Sequence, residues 1–325
     1  MATNGAATFP VTPANTGFDL NRADIRAFIN QMVEDNQLDR TWVTGVLAAA
    51  RAQPAIVDSM NRPAEKTLQW WQYRARFLTD KRIEAGAQLW LAHRELLDQV
   101  AVEQGVPPEY ILAILGVETS YGRIAGRYRV IDSLSTLAFD YPARGSYFRK
   151  ELAQFLLLVH DDGLDPLTTM GSYAGAMGAA QFMPSSYSAY AVSEDGSRRR
   201  DLWNSWPDVF ASIAYYFHTH GWQYGAPVIA DAQAAPGLAL NPPDRLALDQ
   251  TLGGLRSTGL RVSDPLPDAT PAMLLAAPLE DGMHYRVGFQ NFYVITRYNH
   301  SPLYAMTVCD LAAAIKARVL ADSAL

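Results

Sequence analysis

Apolar residues recur at helical spacing through most of the chain. Ile25, Phe28, Ile29 and Met32 share one face of a first predicted helix, with Asn21 placed to cap it. A second helix is expected from Arg40 to Arg51, ahead of Pro54. Lys81 to Gln104 reads as one long helix, with Leu89, Ala92, Leu96 and Val100 as its inner stripe and Gly105 as its stop. Ile131 to Phe139 forms another helix, and the loop from Asp140 to Gly145 leads into a stripe of Phe148, Leu152, Phe155, Leu156 and Val159. Pro207 and Asp208 suit a helix start, followed by Val209, Ile213, Tyr216 and Phe217 on or near one face. Between about Ala226 and Phe292 these stripes vanish and proline and glycine recur. There Tyr285, Val287 and Phe289 alternate as in a strand, and Phe292 to Ile295 is a second strand candidate. Helix returns with Val308, Leu311, Ala312, Ile315 and Val319.

The pattern divides the chain into a loose tail (1–18), a helical N-terminal domain (19–105), a helical core (106–225), a small β-containing insertion (226–292) and a C-terminal segment (293–325). The fold class is mainly α, of α+β type. With 325 residues, 49% hydrophobic and 18% charged, the chain is globular rather than disordered. A net charge of -6 gives no reason to expect nucleic acid, and Arg198, Arg199 and Arg200, the only basic cluster, read as a solvated face. No apolar run is long enough to span a membrane, and Met1-Ala-Thr-Asn-Gly does not open a signal peptide. Cys309 is the only cysteine, so no internal disulfide forms.

Chemistry concentrates in Ile111-Leu-Ala-Ile-Leu-Gly-Val-Glu-Thr-Ser-Tyr-Gly122. Ile111, Ile114, Leu115 and Glu118 fall on one helical face, so the only carboxylate of the run lies with its most apolar residues. Desolvation raises a carboxyl pKa, and a carboxyl that keeps its proton suits a general acid. The competing reading is a structural ion pair with Arg123, Arg127 or Arg129. Elsewhere, Thr67 to Phe77 is aromatic and basic; Trp70 and Trp71 read as core, whereas Tyr73 and Arg74 are less easily assigned to packing. The glycine-dense stretch from Gly171 to Ser185 would let backbone approach a ligand closely.

Four segments, Gly116-Val-Glu-Thr-Ser-Tyr-Gly122, Gly175-Ala-Met-Gly-Ala-Ala-Gln-Phe-Met-Pro-Ser-Ser186, Ala214-Tyr-Tyr-Phe-His-Thr-His-Gly-Trp222 and Asn291-Phe-Tyr-Val-Ile-Thr-Arg-Tyr-Asn-His-Ser301, together resemble the lytic murein transglycosylase B family. The resemblance runs from about Trp70 to Val319. It implies a lysozyme-like helical core, a helical N-terminal region and a small β insertion. It also implies cleavage of the bond between N-acetylmuramic acid and N-acetylglucosamine without water, with a 1,6-anhydro-muramic product. Glu118 matches the family's single acid, which first protonates the leaving oxygen and then takes the proton of the attacking hydroxyl. Ser172 and Gln181 match polar positions near the sugar or the acid, Tyr216 a tyrosine beside it, Tyr298, Asn299 and Tyr304 the cleft lining, and Tyr73 and Arg144 the outer subsites.

The implied partner is peptidoglycan, acted on in the periplasm by a monomer that needs no cofactor; an outer-membrane lipid anchor on a longer precursor stays open. Two departures from the family stand out. Ala143 replaces the first of two adjacent arginines, and the loop Ser193-Glu-Asp-Gly-Ser-Arg-Arg-Arg-Asp201 carries three arginines where some members bind calcium, so no metal site is expected. His218 and His220 read as structural. Two alternatives remain at this level: a muramidase that uses water, with Asp132 or Asp140 as a second acid, and a non-catalytic glycan-binding or scaffold protein.

Overall fold

The computed structural model describes residues 13–61, 68–194, 196, 199–243 and 245–323. Helices α1 (Ala23–Glu34), α2 (Arg40–Ala49) and α3 (Pro54–Met60) come first, then α4 (Trp70–Phe77), α5 (Asp80–Ala92), α6 (Arg94–Gln104) and α7 (Pro108–Thr119). Strand β1 (Tyr128–Arg129) precedes α8 (Val130–Asp140) and α9 (Gly145–Asp162); β2 (Met170–Gly171), α10 (Pro184–Tyr190) and α11 (Trp206–Thr219) follow. The β-rich region holds β3 (Ile229–Ala234), β4 (Gln250–Thr251), α12 (Leu252–Ser257), β5 (Leu260–Val262), β6 (Pro271–Ala276) and β7 (Tyr285–Gly288). Helices α13 (Gln290–Tyr298) and α14 (Pro302–Ser323) close the chain.

Two compact units emerge, each made of two chain segments: 1–63 with 124–205, and 64–123 with 206–325. The first packs α8 against α9 and α3, α1 against α2, and α10 against α9. Its polar seams are specific. Arg129 pairs with Asp132 at 2.8 Å, and Asp132 also accepts the Arg51 amide. Arg22 pairs with the buried Asp140 at 2.7 Å. In the second unit α7 is the central rod, contacted by α14, α5, α6 and α11. Ile111 through Leu115 are all fully buried, so the helix is apolar around most of its circumference rather than along one face. Glu109, buried in its first turn, is neutralised by Lys316 at 2.9 Å. The insertion forms one antiparallel sheet of order β4-β6-β7-β3-β5 over a core that includes Leu252, Leu255, Leu260, Leu274, Tyr285, Val287 and Phe289.

Several local expectations change. The long helix breaks at His93, whose backbone leaves helical geometry (φ -127°, ψ 29°) while its ring packs on Trp206 and Phe210 of α11. The break shifts the inward face, and Gly86, Ala87, Trp90, Leu97 and Val100 are the buried residues. The Phe292–Ile295 strand is instead part of α13: Asn291, Phe292, Ile295 and Thr296 face inward at helical spacing, while Arg297 is exposed. Arg22 rather than Asn21 stands at the N-cap of α1, its guanidinium drawn to Asp24 and Asp140. Residues 13–18 of the expected loose tail are pinned: Asn15 donates to Ala52 O at 2.8 Å and Phe18 is buried against Phe139; residues 1–12 lie outside the described residues.

Cys309 is 5% exposed, and burial pushes its thiol well above the ordinary value. A thiol reagent at pH 8 is therefore expected to leave the folded protein unlabelled and to modify one thiol per chain after denaturation. Absorbance of the released reagent reads this out; rapid labelling of the native chain would contradict the packing of α14.

Candidate active site

Glu118 is the penultimate residue of α7 and half-buried. The chain leaves the helix through three successive left-handed residues, Ser120 (φ 52°), Tyr121 (φ 62°) and Gly122 (φ 75°). Left-handed backbone costs about 1–2 kcal/mol per non-glycine residue, so surrounding contacts must hold it. They do. The Tyr121 amide donates to Leu115 O at 3.0 Å, and the Gly122 amide donates to Thr119 Oγ1 at 2.9 Å. The Tyr121 hydroxyl donates to Arg82 O at 2.8 Å. Its ring fills a slot left by two glycines: a Cβ on Gly86 would lie 2.4 Å from Tyr121 Oη, and one on Gly116 would lie 2.8 Å from it. Gly86, Gly116 and Tyr121 thus fix the last turn of α7 and the direction of Glu118. Sequence reading did not single out their role, because a left-handed tyrosine leaves no spacing signal.

Helix α14 supplies the partner. The Tyr304 hydroxyl donates to Glu118 Oε1 at 2.6 Å. Tyr304 is 2% exposed; burial, and then the neighbouring Glu118 charge and Tyr298, hold its pKa well above 10. It therefore stays a donor across the neutral and mildly alkaline range. Tyr298, at the end of α13, is shifted the same way by burial first, then by Glu118 and Tyr216. Tyr216 on α11 donates its hydroxyl to Arg297 O at 2.6 Å, stacks on His220 at 4.0 Å and meets Tyr298 edge-on at 4.9 Å. It ties down the end of α13, where Asn299 Oδ1 accepts the Ser301 amide at 3.0 Å. Tyr73 of α4 is buried against Phe77 and close enough to Tyr304 to act on its ionisation. One unit therefore gathers Glu118, Tyr73, Tyr216, Tyr298, Asn299 and Tyr304.

Arg144, Ser172 and Gln181 belong to the other unit. Ser172 Oγ accepts the Ala176 and Ala174 amides at 3.0 and 3.3 Å, so it shapes the glycine-rich turn. Gln181 has left-handed backbone (φ 52°), and its Nε2 donates to Gly178 O and Ala125 O at 2.9 and 3.1 Å. Arg144 is exposed, with its guanidinium 4.5 Å over the Tyr147 ring; neighbouring Ala143 is also exposed.

The arginines of the competing ion-pair reading have other work. Arg123 donates to Ser120 O and Oγ at 3.1 Å, Arg127 lies over Tyr128, and Arg129 pairs with Asp132. The two candidate second acids, Asp132 and Asp140, are each bound to an arginine inside their own unit. His220 Nδ1 contacts Tyr216 O at 2.7 Å and His218 Nδ1 contacts Gln104 O at 3.1 Å, as structural histidines do.

Removing the Tyr304 hydroxyl deletes a hydrogen bond onto an ionisable group, worth about 1.5–3 kcal/mol. Tyr304→Phe is expected to lower kcat roughly 10- to 100-fold with an unchanged circular dichroism spectrum. Unchanged turnover would show that the bond does not serve the chemistry.

Residues 21–313 match the transglycosylase SLT domain. The membrane-bound lytic murein transglycosylase B of Escherichia coli (strain K12) is 39% identical over 306 residues, 91% of this chain and 83% of that protein. The X-ray structure of catenated lytic transglycosylase SltB1 from Pseudomonas aeruginosa superposes with a TM-score of 0.85 at 41% identity, covering 92% of this chain and 99% of that one. The Escherichia coli lytic transglycosylase Slt35 in complex with calcium gives a TM-score of 0.84 at 37% identity, over 94% of this chain and 97% of that one. The fold is thus that of the lysozyme-like transglycosylases. The chain belongs to the lytic murein transglycosylase family.

The described residues of the arginine-bearing loop are engaged in contacts of their own. Arg200, expected on a solvated face, instead pairs with Asp162 and lies 5.1 Å over the Tyr187 ring. Asp201 Oδ1 already accepts the Trp203 and Asn204 amides at 2.9 Å. Among the described residues, no three His, Cys, Asp or Glu side chains group as metal ligands.

Proposed function

We propose that Glu118 alone carries out both proton transfers of a lytic transglycosylase reaction on peptidoglycan. The protonated carboxyl gives its proton to the leaving oxygen of N-acetylglucosamine as the β-1,4 bond from the muramic anomeric carbon breaks. The six-hydroxyl of the same muramic sugar then bonds to that carbon and returns its proton to Glu118, leaving a 1,6-anhydro end and a carboxyl ready for the next cycle. The observation that carries this reading is the 2.6 Å hydrogen bond from the neutral Tyr304 hydroxyl to Glu118 Oε1, which orients the carboxyl.

In this reading Tyr73, Tyr216, Tyr298, Asn299 and Tyr304 bind or orient sugar, and Arg144, Ser172 and Gln181 are likewise assigned to substrate binding. The lysozyme-like catalytic core corresponds to 106–225, flanked by the helical 19–105 segment and the 226–292 insertion. Peptidoglycan as substrate places the action in the cell envelope. We assign it to the periplasm, with the protein acting as a monomer and without a cofactor, on a soluble or outer-membrane-anchored parent.

Mass spectrometry of fragments released from purified sacculi tests the reading. Muropeptides one water lighter than their reducing counterparts support it. Reducing ends would indicate a muramidase, and undegraded sacculi with bound protein a glycan-binding scaffold.

A further inference from the structure

Arg22, Arg129, Arg286 and Arg318 each answer a carboxylate. Arg82, in the first turn of α5, does not. Among the described residues no acid pairs with it, and its Nε is buried without a hydrogen-bond partner. Burial lowers its pKa from the ordinary arginine value. A partly buried cation without a counter-ion is costly, so other contacts must hold it. Two are backbone carbonyls at the C-terminus of α4: Arg82 Nη1 donates to Arg76 O at 2.7 Å and to Phe77 O at 3.1 Å. Carbonyls there lack partners inside the helix, and the helix dipole favours a cation. The third contact is the Phe77 ring, whose centre lies 5.0 Å from the guanidinium carbon.

Both ends of Arg82 lead to Glu118. Phe77 packs at 5.1 Å on Tyr73, one turn earlier on α4. Tyr73 is close enough to Tyr304 to act on its ionisation, and Tyr304 donates to Glu118 Oε1 at 2.6 Å. In the other direction the Arg82 carbonyl accepts the Tyr121 hydroxyl at 2.8 Å, which holds the left-handed turn after Glu118. The side chain thus leads to the donor that orients the acid, and the backbone leads to the helix that carries it, all within one unit. A substitution changes only the first of these arms, because every residue keeps the carbonyl.

We propose that Arg82 is a positioning residue for the proton transfers: its guanidinium clamps the end of α4, so that Tyr73 keeps Tyr304 aimed at Glu118. Arg82 acts through Tyr304 and not on the substrate. The proposal rests on Glu118 as the acid, and it holds whether the sugar's own hydroxyl or water completes the reaction.

A double-mutant cycle on the full chain tests it, with initial rates on soluble glycan strands measured well below the melting transition. Arg82→Ala alone is expected to lower kcat about tenfold while KM stays within about twofold. Arg82→Lys is expected to recover part of the loss, because an ammonium can still donate to the two carbonyls. In a Tyr304→Phe background the hydroxyl is already gone, and Arg82→Ala is expected to cost less than about twofold more. A loss that multiplies in full with that of Tyr304→Phe, or an unchanged kcat in the single variant, overturns the proposal. So does an equal loss from Arg318→Ala, which breaks the 2.8 Å bond from α14 to Glu84 of α5 and leaves the end of α4 untouched. If circular dichroism shows that Arg82→Ala does not fold, Phe77→Leu carries the same cycle, since it removes the ring that lies between the guanidinium and Tyr73. The two readings fail separately. A Glu118→Gln variant at wild-type rate overturns the acid; full multiplication in an enzyme that Glu118→Gln silences overturns Arg82 alone.

Discussion

Glu118→Gln is expected to lower the release of anhydro-muropeptides by about ten-thousandfold, at the upper end of what a positioned acid or base contributes. In the proposed mechanism one group serves both transfers, so a single substitution removes the acid of the first step and the base of the second. The fold has no reason to suffer. Glutamine keeps the shape, and its carbonyl oxygen can accept the Tyr304 hydroxyl as Glu118 Oε1 does at 2.6 Å. The neighbours that aim the side chain, Tyr121 in its slot between Gly86 and Gly116, do not touch its charge. Initial rates on sacculi, read beside circular dichroism and melting temperature, check this. A correctly folded variant at more than about a tenth of wild-type rate would remove Glu118 from its role.

Gly126→Ala is expected to be the most damaging single-methyl change in the other unit. Gly126 has φ 113°, and a Cβ there would lie 1.9 Å from Gly171 O and 2.5 Å from Ser172 N. These are backbone atoms, so no rotamer change relieves the clash. The β1–β2 pairing, Tyr128 opposite Gly171 and Arg129 opposite Met170, must open instead. Ser172 moves with β2, and Ala125 O, which accepts from Gln181, moves with Gly126. Overpacking and left-handed backbone together cost about 2–5 kcal/mol, or roughly 3–7 °C in melting temperature for a chain of this size. Gly163→Ala is the control. Its φ is also positive, at 69°, but nothing lies within 4 Å of the added carbon, so only the backbone cost of about 1 kcal/mol remains. Differential scanning calorimetry separates the two; similar melting temperatures would mean the β1–β2 contact is looser than described.

How far the sequence foretold this molecule depended on what each residue's neighbours were. Stripes with local support emerged as helices: Phe148 to Val159 in α9, and Val308 to Val319 in α14. Glu118 stood out because it interrupts an apolar helix, and Tyr304 was singled out by the family resemblance alone; the bond between them at 2.6 Å joins α7 to α14. Failures came where distant packing decided. His93 breaks a helix only because aromatic rings of α11 meet it. Phe292 to Ile295, a run with strand-like composition, is helical because its inward residues follow helical spacing and Phe292 packs on Gly288. Arg200 looked solvated because Asp162 and Tyr187 are far from it in sequence. The slot for Tyr121 joins residues from two helices and a turn, so no single window of sequence displays it.

In the proposed mechanism the glycosidic bond is cut by the substrate's own hydroxyl under one carboxyl. Digestion of sacculi in water enriched in heavy oxygen, followed by mass spectrometry of the released ends, tests this most directly. Wild-type protein is predicted to yield anhydro-muramic ends without the heavy isotope. Heavy oxygen on the muramic anomeric carbon at early times would show that water attacks, and would contradict the assignment of both proton transfers to Glu118 alone.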